Sequence, residues 1–254
     1  MKSLLVKLIG FPATLIHGDT LVLDRWIWLK ERLPKTNNSE KFLDIGCGTG
    51  AFTTYASLRG YNALGLSWDE RNQNVAKERA SLCKANSATF EVQDVRKLDE
   101  RQDLINQFDV AICFENIEHI IDDQKLMCDI AKCLKRGGKL LLTTPNWDYK
   151  PISEGDSGPF LLIENGGHVR KGYTKEKLSE LCYIAGLVPD SFSFCSGLVS
   201  QKTTFMLRLL SKVNHIFAWG ITLPLRIIPP ILDPVLSKIV DYPSYSICLE
   251  AHKK

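Results

Sequence analysis

Residues 113–119 read Cys113-Phe114-Glu115-Asn116-Ile117-Glu118-His119, and the chain returns to imidazole in Gly166-Gly167-His168-Val169-Arg170. Glu115, Glu118, His119 and His168 together offer two carboxylates and two imidazoles. Such donors suit an octahedral divalent cation, Mg2+ or Mn2+, that keeps positions open for substrate oxygens. A cation held there lowers the pKa of a bound hydroxyl and orients it. The same residues also work without metal: His119 as a general base, with Glu118 and His168 beside it. His168 has a third use, capping the helix expected near Thr174. These readings stay open on the sequence.

A second chemical signal is Phe42-Leu43-Asp44-Ile45-Gly46-Cys47-Gly48-Thr49-Gly50, an apolar run entering glycines. Glycine tolerates positive φ and lets backbone amides approach a ligand closely. A ligand at such a loop lies at the carboxyl edge of a parallel sheet. Gly46-x-Gly48-x-x-Ala51 also fits a loose dinucleotide pattern. Asp44 argues against that, because a carboxylate there repels a pyrophosphate and suits an ammonium group. Gly50 extends the run to G-x-G-x-G, a further departure.

These residues need a scaffold. Short apolar runs at 41–45, 62–66, 88–93, 108–114 and 139–144 alternate with helical patterns. That spacing predicts βαβ units and a parallel sheet. Ser67-Trp68-Asp69-Glu70 fits a capping box opening a helix over 68–83. Asp122 is placed to cap a helix ending at Lys135-Arg136-Gly137-Gly138, and Thr174 to open one ending at Ala185-Gly186. Residues 20–33 carry a helical apolar pattern before Pro34. Residues 1–40 therefore read as an N-terminal helical cap on a domain spanning 41–254. Residues 198–243 are apolar and proline-punctuated, a lid inserted before a final strand at 245–251.

Residues 41–144 resemble the core of class I S-adenosylmethionine-dependent methyltransferases. The likeness runs through Leu43 to Gly50, Ala63 to Glu70, Gln93-Asp94-Val95, Phe108-Asp109-Val110 and Leu134-x-x-Gly137-Gly138. It implies a doubly wound, seven-stranded, mostly parallel α/β sheet, Rossmann-like, with the helical cap and the helical insertion as additions. It implies that Gly46, Cys47, Gly48 and Gly50 form the cofactor loop and that Asp44 faces the methionine end. Asp94 would accept from the adenine amino group, Val95 would pack beside the ring, and Glu115 would border the pocket. One departure stands out: the acidic residue that holds the ribose hydroxyls in most members is Ser67 here. Ribose contacts then fall to Ser67, Asp69 or backbone, and Trp68 either covers the adenine face or simply packs.

The E-x-x-E-H run resembles two groups, the O-methyltransferases of ubiquinone biosynthesis and the small-RNA 2′-O-methyltransferases. Carried over, Glu115, Glu118, His119 and His168 are the metal ligands, and the acceptor is a pair of neighbouring hydroxyls. The resemblance points to O-methylation of a small molecule, sugar, glycolipid or quinone-like hydroxyl. Three alternatives stand beside it: a metal-independent methyltransferase with His119 as base, a non-catalytic methyltransferase-like binding subunit, and a nicotinamide-dependent oxidoreductase.

Composition narrows the partners. The 254 residues suit one domain, and a net charge of +3 without a Lys/Arg cluster gives no reason to expect nucleic acid. Eight scattered cysteines, without a CxxC pair, read as free thiols in a reducing compartment. Lys7 and Pro12 break the first apolar run, so neither a signal peptide nor a membrane span is expected, and the reading is cytoplasmic. The segment 203–240 is richer in apolar side chains (Phe205, Leu209, Leu210, Ile216, Phe217, Trp219, Ile227, Ile228, Ile231, Leu232) than a solvent-facing lid needs. They pack on the core, on a second copy in a homodimer, or on a membrane surface beside a lipid-linked acceptor. Trp147, Tyr149, Asp156 and Arg170, in the loop after Thr143-Thr144-Pro145-Asn146, are candidates for the acceptor side.

Overall fold

The computed structural model describes residues 3–16, 20–37 and 39–254. The apolar runs become strands β1 (Lys41–Ile45), β2 (Asn62–Ser67), β3 (Ala88–Val92), β4 (Phe108–Phe114) and β5 (Leu134–Pro145), joined later by β6 (Leu187–Cys195) and β7 (Ser246–Lys253). They form one sheet in the order β3-β2-β1-β4-β5-β7-β6. The first five strands pair in parallel, and β7 runs antiparallel between β5 and β6. This is the doubly wound, mostly parallel architecture. The strand order reverses at β1, which lies between β2 and β4, so a crevice opens at the carboxyl ends of those strands.

Helices α1 (Leu4–Ile9), α2 (Pro12–Leu15) and α3 (Leu21–Arg32) precede the sheet. Helices α4 (Ala51–Leu58), α5 (Glu70–Leu82), α6 (Asp123–Cys133) and α7 (Lys175–Ile184) connect its strands. Helices α8 (Leu198–Ser211), α9 (His215–Thr222) and α10 (Pro229–Ile239) lie between β6 and β7. Side chains alternate across the sheet with a period of two. Leu43 and Ile45 of β1 join Ile130 of α6 and Leu181 of α7 in the larger core. Phe42 faces the other way, into a second core with Trp28 and Leu29 of α3 and Ala56 of α4. Asp44 shares the Phe42 side, which brings it to α4.

Two local expectations are corrected. Ser67 does not cap α5, and the Ser67–Glu70 capping box does not form. Ser67 is still strand, paired with Val92 of β3. Asp69 is the cap instead, its carboxylate accepting from Arg71 N at 2.8 Å and Asn72 N at 3.4 Å. An ionised oxygen is the better acceptor at the positive end of a helix. The second correction concerns Lys135-Arg136-Gly137-Gly138, which does not close α6. The helix stops at Cys133, and these residues make an irregular start to β5. Phe108 of β4 pairs with Leu134 but Val110 pairs with Lys139, so β5 bulges between them. Gly137 supplies a φ of +75°, and a Cβ on Gly138 would meet the Lys135 carbonyl oxygen at 2.8 Å. Those needs explain both glycines.

Asp122 caps α6 through Lys125 N at 2.9 Å, and Thr174 caps α7 through Lys177 N at 3.2 Å. Among the described residues no helix is long and apolar enough to cross a membrane, and all eight cysteines are free. Met1, Lys2 and the side chains of Ile227 and Ile231 lie outside the described residues.

Candidate active site

The three glycines after β1 all adopt positive φ (+81°, +51° and +74°), for different reasons. A Cβ on Gly46 would lie 2.6 Å from the Asn116 side chain, and one on Gly50 would lie 2.5 Å from the Phe90 ring. A Cβ on Gly48 would meet nothing within 4 Å. Gly46 and Gly50 therefore let the protein close on itself, and Gly48 faces open space. Cys47 is buried, its Sγ beside Gln73, and takes no part in the cleft wall. Asp44 lies fully buried behind the loop, where Thr53 Oγ1 donates to it at 2.6 Å. Burial without a cation pushes its carboxyl up to about 7.

Beside Gly46 and Gly48 lies a cleft of about 490 Å³. Of the sequence-predicted residues, Ser67, Trp68, Asp94, Val95, Glu115 and His119 line it. Asp44, Cys47, Gly50, Glu118 and His168 do not. Trp68 is 68% exposed, a flat apolar surface left uncovered at the cleft edge. Asn72, Arg96, Asn116 and Glu164 also line the cleft, and none was singled out from the sequence. Arg96 grips the Asp94 carboxylate, Nη2 to Oδ2 at 2.6 Å and Nε to Oδ1 at 2.8 Å. That grip holds Asp94 below the usual carboxylate range. The other arm of Arg96 reaches Glu164 Oε2 at 2.7 Å, while Glu164 Oε1 accepts from Ile121 N at 2.6 Å. A loop from after β5 is thereby tied to the cleft wall. The signal for Arg96 was available: Asp94-x-Arg96 places both charges on one turn.

Glu118, His119 and His168 come together. One donor atom from each lies within 4.8 Å of the others. Glu118 and His119 sit in a 3-10 turn, Ile117–His119, directly past β4. Glu118 is fully buried. Its Oε2 accepts from Thr144 Oγ1 at 3.1 Å, and its Oε1 has no hydrogen-bond partner among the described residues. Burial, and then the Glu115 charge, raise its pKa. His119 Nδ1 lies 3.0 Å from the Gly167 carbonyl oxygen. A carbonyl only accepts, so the proton sits on Nδ1 and the lone pair on Nε2, which is 3.9 Å from Glu118 Oε1. The His168 ring stands 4.7 Å from that of His119, at 83°. Burial, and then the His119 charge, push His168 down to about 4, so it is a neutral imidazole. Two imidazoles and a carboxylate with an unpartnered buried oxygen are donors that fit a divalent cation. The bond from His119 to the Gly167 carbonyl is the outer support such ligands use.

Glu115 departs from the expected ligand set. It takes a φ of +46° just past β4. Its carboxylate pairs with Arg25 of α3 at 3.2 Å and accepts from Ser246 Oγ at 3.0 Å. It borders the cofactor cleft and stands outside the three-residue cluster.

His168 also lines a smaller cavity of about 300 Å³, formed with Asp156, Phe160, Leu161 and Ile163. Asn165 lines both this cavity and the cleft. Of the loop residues expected on the acceptor side, only Asp156 lines it. Tyr149 is buried, its hydroxyl donating to Asp156 O at 2.5 Å, and Trp147 lies half-exposed beneath Lys171. Arg170 fastens the loop to Asp123 and to Ile120 O.

The sheet order and a ligand cleft over β1 define a class. A model of the methyltransferase domain family matches residues 23–191, and the chain belongs to that family, the class I S-adenosylmethionine-dependent methyltransferases. Within it, the chain is similar to ubiquinone biosynthesis O-methyltransferases. That of Coxiella burnetii is 30% identical over 136 residues, 52% of this chain and 56% of the relative. That of Neisseria meningitidis is 29% identical over 185 residues, 70% of this chain and 76% of the relative. The match therefore spans little more than half the length of the Coxiella protein. Among solved structures, phosphoethanolamine N-methyltransferase 2 of Haemonchus contortus superposes with a TM-score of 0.63 at 21% identity, covering 96% of this chain and 56% of that one. Geranyl diphosphate C-methyltransferase of Streptomyces coelicolor A3(2), solved with Mg2+, geranyl diphosphate and S-adenosyl-L-homocysteine, gives 0.60 at 16% identity, covering 91% and 78%. These structural likenesses speak to the fold.

Proposed function

We propose that this protein transfers a methyl group from S-adenosylmethionine to a hydroxyl oxygen of a small molecule, and that Glu118, His119 and His168 organise the acceptor. The observation that carries this reading is the Glu118–His119–His168 cluster, whose two imidazoles line adjoining cavities. The donor takes the larger cleft. Its ammonium group lies on the glycine-loop side, with the buried Asp44 charge behind the loop, its backbone contacts come at Gly48, and its adenine lies near Trp68 and Val95. Asp94 acts through Arg96 as well as directly. The acceptor enters on the His168 side. Its oxygen attacks the methyl carbon, the carbon–sulfur bond breaks, and the hydroxyl proton passes to His119 Nε2. The products are a methyl ether and S-adenosylhomocysteine. A divalent cation bound by Glu118, His119 and His168 would lower the hydroxyl's pKa and suit an acceptor with two neighbouring oxygens.

The metal-free version, with His119 as base, draws on the same lone pair at Nε2. Calorimetry separates the two. Mn2+ titrated into protein saturated with S-adenosylhomocysteine binds at one site, and His168→Ala abolishes it, if the cation belongs to the mechanism. Cofactor-product binding without metal binding leaves His119 as the base. No binding of the cofactor product ends the methyltransferase reading.

In this reading residues 1–40 form an N-terminal helical cap on the methyltransferase domain and 198–243 form a lid. Two features support access from a lipid side. Leu209, Ile216 and Phe217 of α8 and α9 are 50%, 68% and 57% exposed. The segment 198–240 also holds Lys202, Lys212 and Lys238 against a single acid, Asp233, which is buried; Arg226 is buried too, and Arg208 pairs with Asp156. Co-sedimentation with anionic vesicles, lost in Ile216→Ser/Phe217→Ser, would support a lipid-linked acceptor. Dimerisation lost in the same variant would assign the face to a second copy.

A further inference from the structure

A cavity of about 540 Å³, whose lining shares no residue with the methyl-transfer cleft, lies between α3, α10, the end of β6 and the segment that joins α10 to β7. Four acids line it, Asp24, Glu31, Asp233 and Asp241, against one cation, Lys238. Trp28, Phe194 and Tyr242 supply apolar wall. We propose that this cavity is a binding site for a protonated primary or secondary amine with an apolar body, whose ammonium N–H donates to Asp24.

The argument rests on the different employment of the two buried acids. Asp233 has a structural task. Its oxygens accept from Val199 N at 2.5 Å and Ser200 N at 3.0 Å, capping the start of α8. Ser237 of α10 assists at Leu198 N, 2.8 Å away. The approach is so close that a Cβ on Gly197 would collide with Ser237 Oγ. Asp24 has no such task. It is 8% exposed, and its Oδ2 is buried with no hydrogen-bond partner among the described residues. The Ser196 and Ser200 hydroxyls stand near, and the Ser200 hydroxyl is itself buried without a partner there. Burial pushes the Asp24 carboxyl up to about 7, Asp233 adds to the rise, and the two serines and Arg25 oppose it. A buried carboxylate oxygen without a well-placed donor is costly, and the two serine hydroxyls offset only part of that cost. A charge-assisted N–H bond would remove that cost.

The chemistry favours an organic cation over a metal ion. Hard divalent cations take six or more oxygens, and Asp233 already gives both of its oxygens to backbone amides. The aromatic walls suit a ligand with an apolar body, which a bare ion lacks. The site also has a physical link to the cleft. Arg25, the next residue on α3, pairs with Glu115 on the cleft wall.

The test uses the full chain and calorimetry near pH 8, where phenethylamine and spermidine are cationic. N-acetylphenethylamine is the neutral control. One-site binding of an amine is expected, with the acetylated control and Asp24→Asn each weaker by about tenfold or more. S-adenosylhomocysteine affinity is measured in every variant and is expected to be unchanged. Absence of amine binding to the wild type overturns the proposal, as does equal binding to Asp24→Asn or competition between the amine and S-adenosylhomocysteine. Should Asp24→Asn fail to fold, Ile27→Trp fills the cavity and leaves Asp24 in place. Amine binding that survives Ile27→Trp overturns the proposal as well. A wild type that binds amine but not S-adenosylhomocysteine would sink the methyltransferase reading and leave this one standing.

Discussion

Asp44→Asn should make the ligand-free protein more stable at neutral and alkaline pH while weakening its hold on the cofactor product. Asp44 is fully buried and its carboxyl sits near 7 in the folded chain, against 3.8 for the ordinary group. The folded state therefore holds a proton that the unfolded chain releases, between about pH 4 and pH 7. Stability falls as pH rises through that window, and the loss is complete above it. A shift of about three units corresponds to roughly 4 kcal/mol at about 1.4 kcal/mol per unit, an upper bound once the site relaxes. The asparagine side chain carries no charge, keeps an oxygen for Thr53 Oγ1, and loses this slope. Urea unfolding of both proteins from about pH 5 to 8.5 should give a stability difference that grows in favour of the variant. Calorimetry near pH 8 should show weaker S-adenosylhomocysteine binding, because the negative charge behind the glycine loop that favours the ammonium group is lost. A pH-independent difference, or a variant less stable near pH 8, would refute the account of Asp44 as a charge waiting for its partner.

Gly50→Ala should cost about 2–4 kcal/mol in unfolding free energy, since strained φ and the Phe90 ring both oppose the methyl group. Gly48→Ala should cost about 1 kcal/mol for the φ alone, and its larger effect should appear in cofactor-product affinity by calorimetry. Arg96→Ala should free Glu164, so that amide exchange at 160–167 rises and S-adenosylhomocysteine dissociates faster in stopped flow; unchanged exchange would deny the tie. Arg25→Met should leave Glu115 uncompensated at the cleft, lowering the melting temperature by several degrees, and Glu115→Gln in the same chain should recover part of that loss.

The glycine loop and the first five strands are legible in the sequence because each depends on neighbours. An apolar run, a glycine triplet and a capping acid announce themselves within a dozen residues. Strand β6 is harder to see, because Pro189, Asp190 and Ser191 interrupt its pattern, and an edge strand tolerates them. The pairs Arg25–Glu115 and Arg96–Glu164 join residues far apart in the chain. Nothing local marks them. The donor types of Glu118, His119 and His168 are legible in the sequence, but their meeting is not, because almost fifty residues separate His168 from the other two; the pairing of Glu115 with Arg25 is equally hidden. Ser67 against Asp69 as the helix cap turns on where β2 ends, a boundary that register with β3 decides.

The position of β7 bears on how the chain is made. A newborn chain leaving the ribosome can lay down β1 to β5 and their helices in sequence, each strand finding a neighbour already in place. β6 has no such neighbour. Its partner is β7, which also covers the open edge of β5, and α8, α9 and α10 must all be synthesised before β7 emerges. Through that interval one side of the sheet is an unpaired template, open to capture by another nascent strand. The three intervening helices thus lengthen the period in which the β5 edge of the unfinished molecule stands open.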